Sequence, residues 1–380
     1  MPETESDQTE ISNSEIEPKS KPIQKIIFGS PGTGKSYQVR DIAVNSLGIK
    51  WENPSLTPEN VIKTVFHPEY TYSDFVGKLL PQTTGSGSVI YKYYAGHFIR
   101  ALGLAYRQII DGNSANLLLV IDELNRGNAS AIFGSVFQLL DREEDDWFSY
   151  EVDLSELEIV GLLRSMKYDA QTNSPTTQVD GSNINKFYEI TENELTNKNN
   201  KNGLRVLSNL KNNKIAIPFN LSIIGTINTS DESIYYLDSA FKRRWNWEYV
   251  DVPSSQSPDI PDIIKETKLV LGDTGNSWSD FVINLNDFIK FNHQSIRRIE
   301  DKQIGWWFLK PKNNNKIEEE AIKNKLMFYL WDSVFSKDRR PLAELLTKAC
   351  GSQVELITYS DFVALSKDFV SGIIDKKWKP

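Results

Sequence analysis

Residues 29–36 form a glycine-rich stretch of the kind that holds phosphate groups. The stretch reads Gly-Ser-Pro-Gly-Thr-Gly-Lys-Ser and fits the pattern G-x-x-x-x-G-K-[ST] in full. Its glycines let backbone N–H groups close around phosphate oxygens, Lys35 can reach the β- and γ-phosphates, and the Ser36 hydroxyl can ligate Mg²⁺. A chance glycine turn is the alternative, and the complete match argues against it. The residues that we expect to contact a nucleotide here are Gly29, Pro31, Gly32, Thr33, Gly34, Lys35, Ser36 and Tyr37.

Two acidic residues, Asp122 and Glu123, follow the apolar run Leu-Leu-Leu-Val-Ile. A carboxylate at the end of a buried strand can hold Mg²⁺, so we expect Asp122 to bind the nucleotide and to share the metal with Ser36. Glu123, one residue later, is placed to polarise an attacking water. The alternative is an ordinary strand end whose acids cap the next helix. Together with the phosphate loop, the acidic pair predicts a hydrolase of nucleoside triphosphates.

Two further segments carry polar residues that could complete such a site. Asn228 ends a buried apolar run and could bind the γ-phosphate or orient the water, with Asp231 three residues later. The alternative is an Asx turn formed by these two residues. Arg243 and Arg244 follow a short predicted helix, and in a ring such arginines can reach a neighbouring subunit's site, although a solvated basic patch is the alternative. The predicted catalytic residues are therefore Glu123, Asn228, Asp231, Arg243 and Arg244.

The elements that position these residues alternate between strands and helices along the chain. Apolar runs that predict buried strands occur within 23–29, 60–68, 116–126 and 220–230. Helical spacing of apolar residues occurs between them within 35–47, 95–110 and 128–143. This alternation predicts an α/β fold in which helices cover both faces of a parallel sheet.

Composition divides the chain into three predicted parts. Residues 1–21 predict a disordered acidic tail, 22–252 an α/β nucleotide-binding core, and 253–380 a small helical domain that begins in a Pro/Ser-rich linker. Within the core, residues at about 144–214 are rich in Asn, Thr and Gly, which favours an insertion with a flexible loop.

Charge and cysteine content limit the classes of function. The chain has 380 residues and a net charge of −8, which argues against coating nucleic acid by charge alone but leaves room for a local basic channel. The single cysteine, Cys350, rules out an internal disulfide, and three scattered histidines make a histidine-rich metal site a poor interpretation. No apolar run is long enough to span a bilayer, and the N-terminus is unlike a signal peptide, so we expect a cytoplasmic protein without membrane contact.

Three longer stretches resemble the McrB family, the nucleotide-driven motor subunits of modification-dependent restriction systems. They are VFHPEYTYSDFVGKLLP at 65–81, IDELNRGNASAIFGSVFQLLD at 121–141 and GTINTSDESIYYLDSAFKRRW at 225–245. The order of phosphate loop, Asp-Glu strand, Asn-bearing strand, paired arginines and helical lid is also the layout of an AAA+ ATPase. The resemblance implies an AAA+ P-loop NTPase with a small C-terminal helical lid, which hydrolyses GTP or ATP with Mg²⁺.

The resemblance also implies partners and residue roles. It implies a homo-oligomeric ring, expected to be a hexamer, that drives a McrC-like nuclease subunit in the restriction of foreign or modified DNA. It matches Asn228 to a γ-phosphate sensor, Asp231 to a signature aspartate and the Arg243–Arg244 pair to the arginine-finger stretch, without deciding which arginine is the finger. It implies in addition that Asn125 and Arg126 face a subunit boundary.

The sequence departs from the family pattern at several points. Glu232 stands where an arginine is usual, and Trp306-Trp307 stand where His-Ser is common. Only the tail-like residues 1–21 precede the core where McrB members carry a DNA-reading domain, so we expect DNA contact through a partner. The alternative function is that of a MoxR-like AAA+ ATPase, acting as a remodelling chaperone or a nucleotide-controlled scaffold. The motifs leave GTP and ATP open, with a lean to GTP by resemblance.

Overall fold

The strands and helices of the protein are taken from a computed structural model. It describes residues 21–379 except 114, 143–146, 148, 149, 174, 175, 230–234, 258, 259, 272, 273, 313 and 314. Residues 1–20 of the predicted tail and the predicted site residue Asp231 therefore lie outside the described residues.

The described strands are short, and all of them belong to five sheets of two to five strands. They are β1 (Gln24–Gly29), β2 (Val61–Val65), β3 (Gly77–Thr83), β4 (Val89–Ala95), β5 (Leu117–Asp122), β6 (Val152–Asp153), β7 (Ala170–Asn173), β8 (Thr176–Val179), β9 (Ser182–Asn183), β10 (Lys214–Ile215), β11 (Leu221–Asn228), β12 (Asn246–Tyr249), β13 (Lys268–Leu271), β14 (Thr274–Ser277) and β15 (Lys316–Glu318).

The described helices follow or separate these strands. They are α1 (Lys35–Asp41), α2 (Tyr72–Phe75), α3 (His97–Ile110), α4 (Ala129–Phe133), α5 (Glu156–Ser165), α6 (Ile184–Asn197), α7 (Lys201–Lys211), α8 (Ser239–Lys242), α9 (Asp262–Glu266), α10 (Trp278–Phe291), α11 (Ile299–Lys302), α12 (Glu319–Ala321), α13 (Arg340–Cys350), α14 (Tyr359–Ala364) and α15 (Ser366–Ile374). Turns of π geometry occur at Ile42–Ser46, Ile322–Met327 and Leu330–Val334, and 3₁₀ turns occur at Leu124–Arg126 and Gly134–Leu140. None of the described helices combines the length and apolar character needed to cross a membrane.

The largest sheet has five strands in the order β12–β1–β11–β5–β2. Strand β5 pairs in parallel with β11 and with β2. The amide of Ile223 donates to the carbonyl of Ile23, and that of Thr229 to Gly29, so β1 also runs parallel to β11. The apolar residues of β5 are buried without alternation, as expected for a strand covered by helices on both faces. The predicted α/β fold with a parallel sheet is confirmed.

Contacts divide the chain into two compact units. The first comprises Met1–Lys25, Arg40–Gly225 and Tyr235–Asn246, and the second comprises Ile26–Val39, Thr226–Ile234 and Trp247–Pro380. The phosphate loop thus groups with the C-terminal residues, whereas the acidic pair at the end of β5 belongs to the first unit.

The first unit contains the segment for which composition favoured a flexible loop, and there the structure differs from the expectation. Helices α5, α6 and α7 occupy much of it. The asparagines that suggested loops include helix caps, since the side chains of Asn183 and Asn200 accept backbone amides in the first turns of α6 and α7. Helix α7 also buries apolar residues at helical spacing, namely Val206, Leu207 and Leu210.

The second unit has an aromatic core built around α10. Trp278, Phe281 and Phe288 of that helix are buried. The indole N–H of Trp278 donates to the carbonyl of Trp306 at 2.9 Å, which ties α10 to residues that follow α11. A small sheet in the order β14–β13–β15, which the sequence analysis did not predict, completes this unit beside its helices.

Candidate functional site

The phosphate loop connects β1 to α1 within the second unit. Gly32 has φ +77° and Gly34 has φ +96°, a backbone region that side-chain-bearing residues rarely adopt. Glycine at positions 32 and 34 is therefore needed for the path of the chain. This geometry fits the predicted phosphate-binding role of the loop.

Lys35 lies inside the curve of this loop. Its side chain is buried, and Nζ donates to the carbonyl oxygens of Gly29 and Ser30, each at 2.9 Å. The Thr33 hydroxyl donates to the same Ser30 carbonyl at 3.0 Å. These contacts hold the ammonium group against the loop, within the reach that a phosphate-binding lysine needs.

A segment far along the chain covers the outer side of the loop. In this clamp segment (residues 305–308), the amide of Gly305 donates to the carbonyl of Pro31 at 2.9 Å and that of Trp307 to Gly32 at 2.8 Å. A planar trans peptide points its C=O and the following N–H in opposite directions. The N–H groups of Gly32 and Thr33 therefore point away from the clamp segment, and their orientation is set by it.

The clamp and the loop meet backbone to backbone. A Cβ atom added to Gly305 would lie 2.2 Å from the carbonyl carbon and oxygen of Gly32, and one added to Gly32 would lie 2.4 Å from the amide nitrogen of Phe308. The indole ring of Trp307 lies next to Gly34. Glycine is thus required at both 32 and 305, and the sequence analysis identified only the first.

Asn286 of α10 anchors the clamp segment from behind. Its side chain is 1% exposed, and it both accepts from the amide of Ile304 and donates to its carbonyl, each at 2.9 Å. The side-chain amide of Asn286 also donates to the carbonyl of Pro253, at 3.1 Å. An asparagine among the apolar residues of α10 was the available signal for this role, and the sequence analysis did not use it.

A cavity of about 310 Å³ lies in the second unit beside the end of β11. Thr229, whose amide donates to Gly29 at 3.4 Å, lines it together with Arg297, Arg298 and Lys302. Burial raises the pKa of the Asp301 carboxyl in this cavity, and a hydrogen bond with Thr229 acts in the opposite direction. This cationic cluster was not predicted from the sequence, although the Arg-Arg pair shortly before the clamp segment could have indicated it.

The acidic pair ends a central strand of the first unit. Asp122 is the last residue of β5 and pairs with Val65 of β2. Glu123 has φ 53° and ψ 44°, and its carbonyl accepts the amide of Arg126 at 2.9 Å. A glutamate in left-handed conformation costs on the order of 1–2 kcal/mol, and such strain concentrates at functional sites.

Three further predicted residues, Asn125, Arg126 and Asn228, differ in their exposure. Asn125 is buried and its carbonyl accepts the amide of Tyr235 at 2.8 Å, whereas Arg126 is exposed. Asn228 is half-buried at the last position of β11. The boundary role of the first two residues and the sensor role of Asn228 stay predictions.

The two candidate finger arginines differ sharply in their contacts. Arg244 donates through Nε and Nη2 to one carboxylate oxygen of Asp141, at 3.0 and 2.7 Å, and its guanidinium lies 4.1 Å from the ring centroid of Phe137. Its side chain is 10% exposed. Arg243, in contrast, is exposed at the end of α8. Of the pair, Arg243 is therefore the one that could extend toward another molecule.

Helix α8, which these arginines follow, begins at a well-bonded carboxylate. Asp238 accepts the amide of Phe241 and the hydroxyl of Ser130, each at 2.7 Å. The hydrogen bond from the Phe241 amide, and to a smaller extent the one from the Ser130 hydroxyl, lowers the pKa of the Asp238 carboxyl. The position of Arg243 is thus tied to the start of α4, where Ser130 lies.

Two known proteins, both named as parts of restriction enzymes, are similar in sequence to the chain. No family model matches the chain. It is 27% identical over 362 residues to the type II restriction enzyme BsuMI component YdiS of Bacillus subtilis (strain 168), covering 88% of this chain and 85% of that one. It is 24% identical over 249 residues to the type IV methyl-directed restriction enzyme EcoKMcrB subunit of Escherichia coli (strain K12). By sequence, the chain is McrB-like.

The extent of these likenesses differs. The second alignment covers 64% of the McrB-like chain and 38% of the E. coli subunit, so the chain spans less than half of that relative's length. Among solved structures, C. elegans PCH-2 aligns with 93% of the chain and 61% of its own length, at 10% identity and a TM-score of 0.21. That value carries no weight for the fold, which rests on the strand order and the phosphate loop.

The oxygen atoms of the McrB-like chain fit the predicted magnesium ion. The candidate ligands are the Ser36 hydroxyl and the Asp122 carboxylate, and Mg²⁺ is commonly held by one or two such oxygens together with phosphates and water. No group of three or more His, Cys, Asp or Glu side chains suited to a metal occurs in the described part of the chain. Hydroxyl and carboxylate oxygens are donors that Mg²⁺ accepts, and the role of Ser36 and Asp122 as its ligands stays a prediction.

Proposed function

We propose that the McrB-like chain is a nucleoside triphosphatase that forms a homo-oligomeric ring and drives a nuclease in the restriction of foreign or modified DNA. The observation that carries the proposal is the clamp segment, which orients the loop amides of Gly32 and Thr33. Preorganised N–H groups that face one side are what a phosphate group needs. The names of the two relatives, both restriction enzyme components, support the biological role.

In the proposed site, the phosphate loop binds the nucleotide. The backbone N–H groups of residues 29–37, apart from Pro31, which has none, surround the β- and γ-phosphates, and Lys35 neutralises part of their charge. Mg²⁺, when bound, lowers the negative charge that the attacking oxygen meets. Ser36 and Asp122 are the proposed ligands of that ion.

The proposed hydrolysis uses residues at the ends of two parallel strands. Glu123, after β5, accepts a proton from water as the water oxygen bonds to the γ-phosphorus, and the bond from that phosphorus to the bridging oxygen breaks. Asn228, at the end of β11, orients the water or the γ-phosphate. In parallel sheets, ligands bind outside the carboxyl ends of the strands, which supports this assignment.

In the proposed ring, Arg243 extends from one subunit to the nucleotide of its neighbour. Its exposure supports this assignment, and the contacts of Arg244 with Asp141 support a structural role for the second arginine. An arginine supplied in trans stabilises the charge of the transferring phosphoryl group. By the resemblance to McrB, we propose GTP, in preference to ATP, as the substrate and a McrC-like nuclease as the partner. The relatives' names, both of restriction enzyme components, favour a role in restriction over the MoxR-like alternative.

The test is turnover of GTP and ATP by a Glu123→Gln variant, with and without the partner nuclease. Loss of the general base is expected to lower hydrolysis by about 10²–10⁴-fold while nucleotide binding is retained. Glu59→Gln, at an exposed position, is the matched control and should hydrolyse as the wild type does. Undiminished hydrolysis by Glu123→Gln would overturn the assignment of the base.

A further inference from the structure

A basic hollow in the first unit stands apart from the residues assigned above. Its volume is about 370 Å³, and Lys92 of β4, Arg100 of α3, and Arg164 and Lys167 at the end of α5 line it. Among the described residues, no aspartate or glutamate lines this hollow. The chain as a whole is acidic, with a net charge of −8, so a concave surface with four cations is a strong local departure.

The cations have few charged partners. Arg164 donates through Nε to the carbonyl of Ala170 at 2.6 Å, which fixes its guanidinium at the rim. No ion pair joins Lys92, Arg100 or Lys167 to a carboxylate within the described ranges. Their charges are therefore directed to solvent, where they repel one another at low ionic strength.

The elements that carry the cations are packed tightly by two glycines. A Cβ added to Gly161 of α5 would lie 2.0 Å from the ring of Tyr93, and one added to Gly103 of α3 would lie 2.5 Å from Cβ of Ser165. Helices α3 and α5 and strand β4 thus approach at contact distance around the hollow. The charges sit on a rigid base, which reduces the ordering cost of binding a ligand.

Tyrosines flank Lys92 on strand β4, which pairs with β3. Strand β4 reads Val-Ile-Tyr-Lys-Tyr-Tyr-Ala, in which Tyr91 is 65% exposed and Tyr94 is 42% exposed. The ammonium group of Lys92 lies 5.9 Å from the ring centroid of Tyr94. Of these two tyrosines, Tyr94 lines the hollow and Tyr91 does not, and an exposed aromatic ring beside cations is a combination with which proteins contact bases or sugars next to phosphates.

We propose that this basic hollow binds the phosphate backbone of DNA, so that the chain contacts DNA itself rather than only through a partner. The proposal rests on the proposed role in restriction, which supplies DNA as the polyanion. Guanidinium groups bind phosphate oxygens in bidentate geometry, and Lys92 and Lys167 add compact charges. An acidic protein segment is the competing occupant, but it would leave the exposed ring of Tyr94 without a matching role.

The experiment measures binding of a fluorescein-labelled 20-base-pair duplex to the full chain by fluorescence anisotropy at several salt concentrations. The test variant is Lys92→Gln/Arg100→Gln/Lys167→Gln. The matched control, Lys50→Gln/Lys186→Gln/Lys325→Gln, removes the same three charges from exposed positions elsewhere. Loss of three phosphate contacts is expected to weaken binding by about tenfold or more and to reduce the salt slope by about 2–3, with the control close to wild type.

Each outcome decides the proposal. Equal loss in the two variants would mean that only net charge matters and would overturn it, as would binding of a polyglutamate peptide to the hollow without binding of the duplex. Hydrolysis of GTP and ATP is measured on the same samples. A chain that hydrolyses nucleotide but does not bind the duplex refutes this inference alone, whereas a chain that binds the duplex but hydrolyses neither nucleotide refutes the proposed function alone.

Discussion

Replacing Gly305 by alanine is the sharpest test of the clamp segment. The added Cβ would lie 2.2 Å from the carbonyl group of Gly32 and 2.3 Å from the amide nitrogen of Thr33, where ordinary contact begins at 3.4 Å. The two backbones must therefore separate by about 1 Å, because neither can rotate out of the way as a side chain can. The separation would break or lengthen both clamp hydrogen bonds, which contribute about 0.5–1.5 kcal/mol each.

The expected result is a nucleotide-binding defect larger than the loss of stability. A misdirected loop amide loses a hydrogen bond to a charged phosphate, which is worth about 1.5–3 kcal/mol, so affinity for GTP or ATP should fall by about 10–100-fold. Isothermal titration gives the affinity, and thermal unfolding of the same samples gives the stability.

The matched control is Gly275→Ala, also in the second unit. Gly275 is exposed, and an added Cβ would meet nothing within 4 Å, so this variant should bind nucleotide as the wild type does. If Gly305→Ala binds GTP and ATP with wild-type affinity, the clamp does not orient the loop and the reasoning is refuted.

Four further substitutions test other parts of the molecule. Arg243→Ala should lower hydrolysis by about 10³-fold without a change in unfolding free energy. Arg244→Ala should instead lower the unfolding free energy by about 1–3 kcal/mol, measured by urea titration. If each variant shows the effect expected of the other, the two arginines have exchanged roles. Burial lowers the pKa of His97 below its usual 6.5, so the unfolded chain binds the proton more readily and the unfolding free energy should fall as pH drops below about 6.5. His97→Gln should remove this part of the pH dependence. Identical profiles of unfolding free energy against pH for the wild type and the variant would contradict this expectation. Gly161→Ala forces a methyl group against Tyr93 and should lower the unfolding free energy by about 1–3 kcal/mol, measured by thermal unfolding.

The sequence predicted those parts of the site that depend on local residue types. The phosphate loop and the strand ending in Asp122 were found because a short pattern and a buried apolar run specify them directly. The same reasoning selected Arg243 and Arg244 together, and only the contacts of Arg244 with Asp141 separate them.

What the sequence could not supply depends on contacts between distant residues. Nothing in the pattern around Gly305 indicates that its amide meets the phosphate loop, and Ser30 likewise donates to Glu300 across 270 residues. In the 144–214 segment, the asparagines that cap α6 and α7 have the same local signature as asparagines in loops. Such residues acquire their role from the helix that follows them.

The long separation between the phosphate loop and its clamp has a consequence for synthesis of the chain. Ser30 leaves the ribosome 270 residues before Glu300, an interval of about 15–55 s at ordinary bacterial and eukaryotic translation rates. During that interval the loop of a nascent chain lacks the amides of Gly305 and Trp307 that fix its peptide planes. Competence to hold a nucleotide is therefore expected to arise late in translation, so an unfinished chain would not compete with finished subunits for the nucleotide.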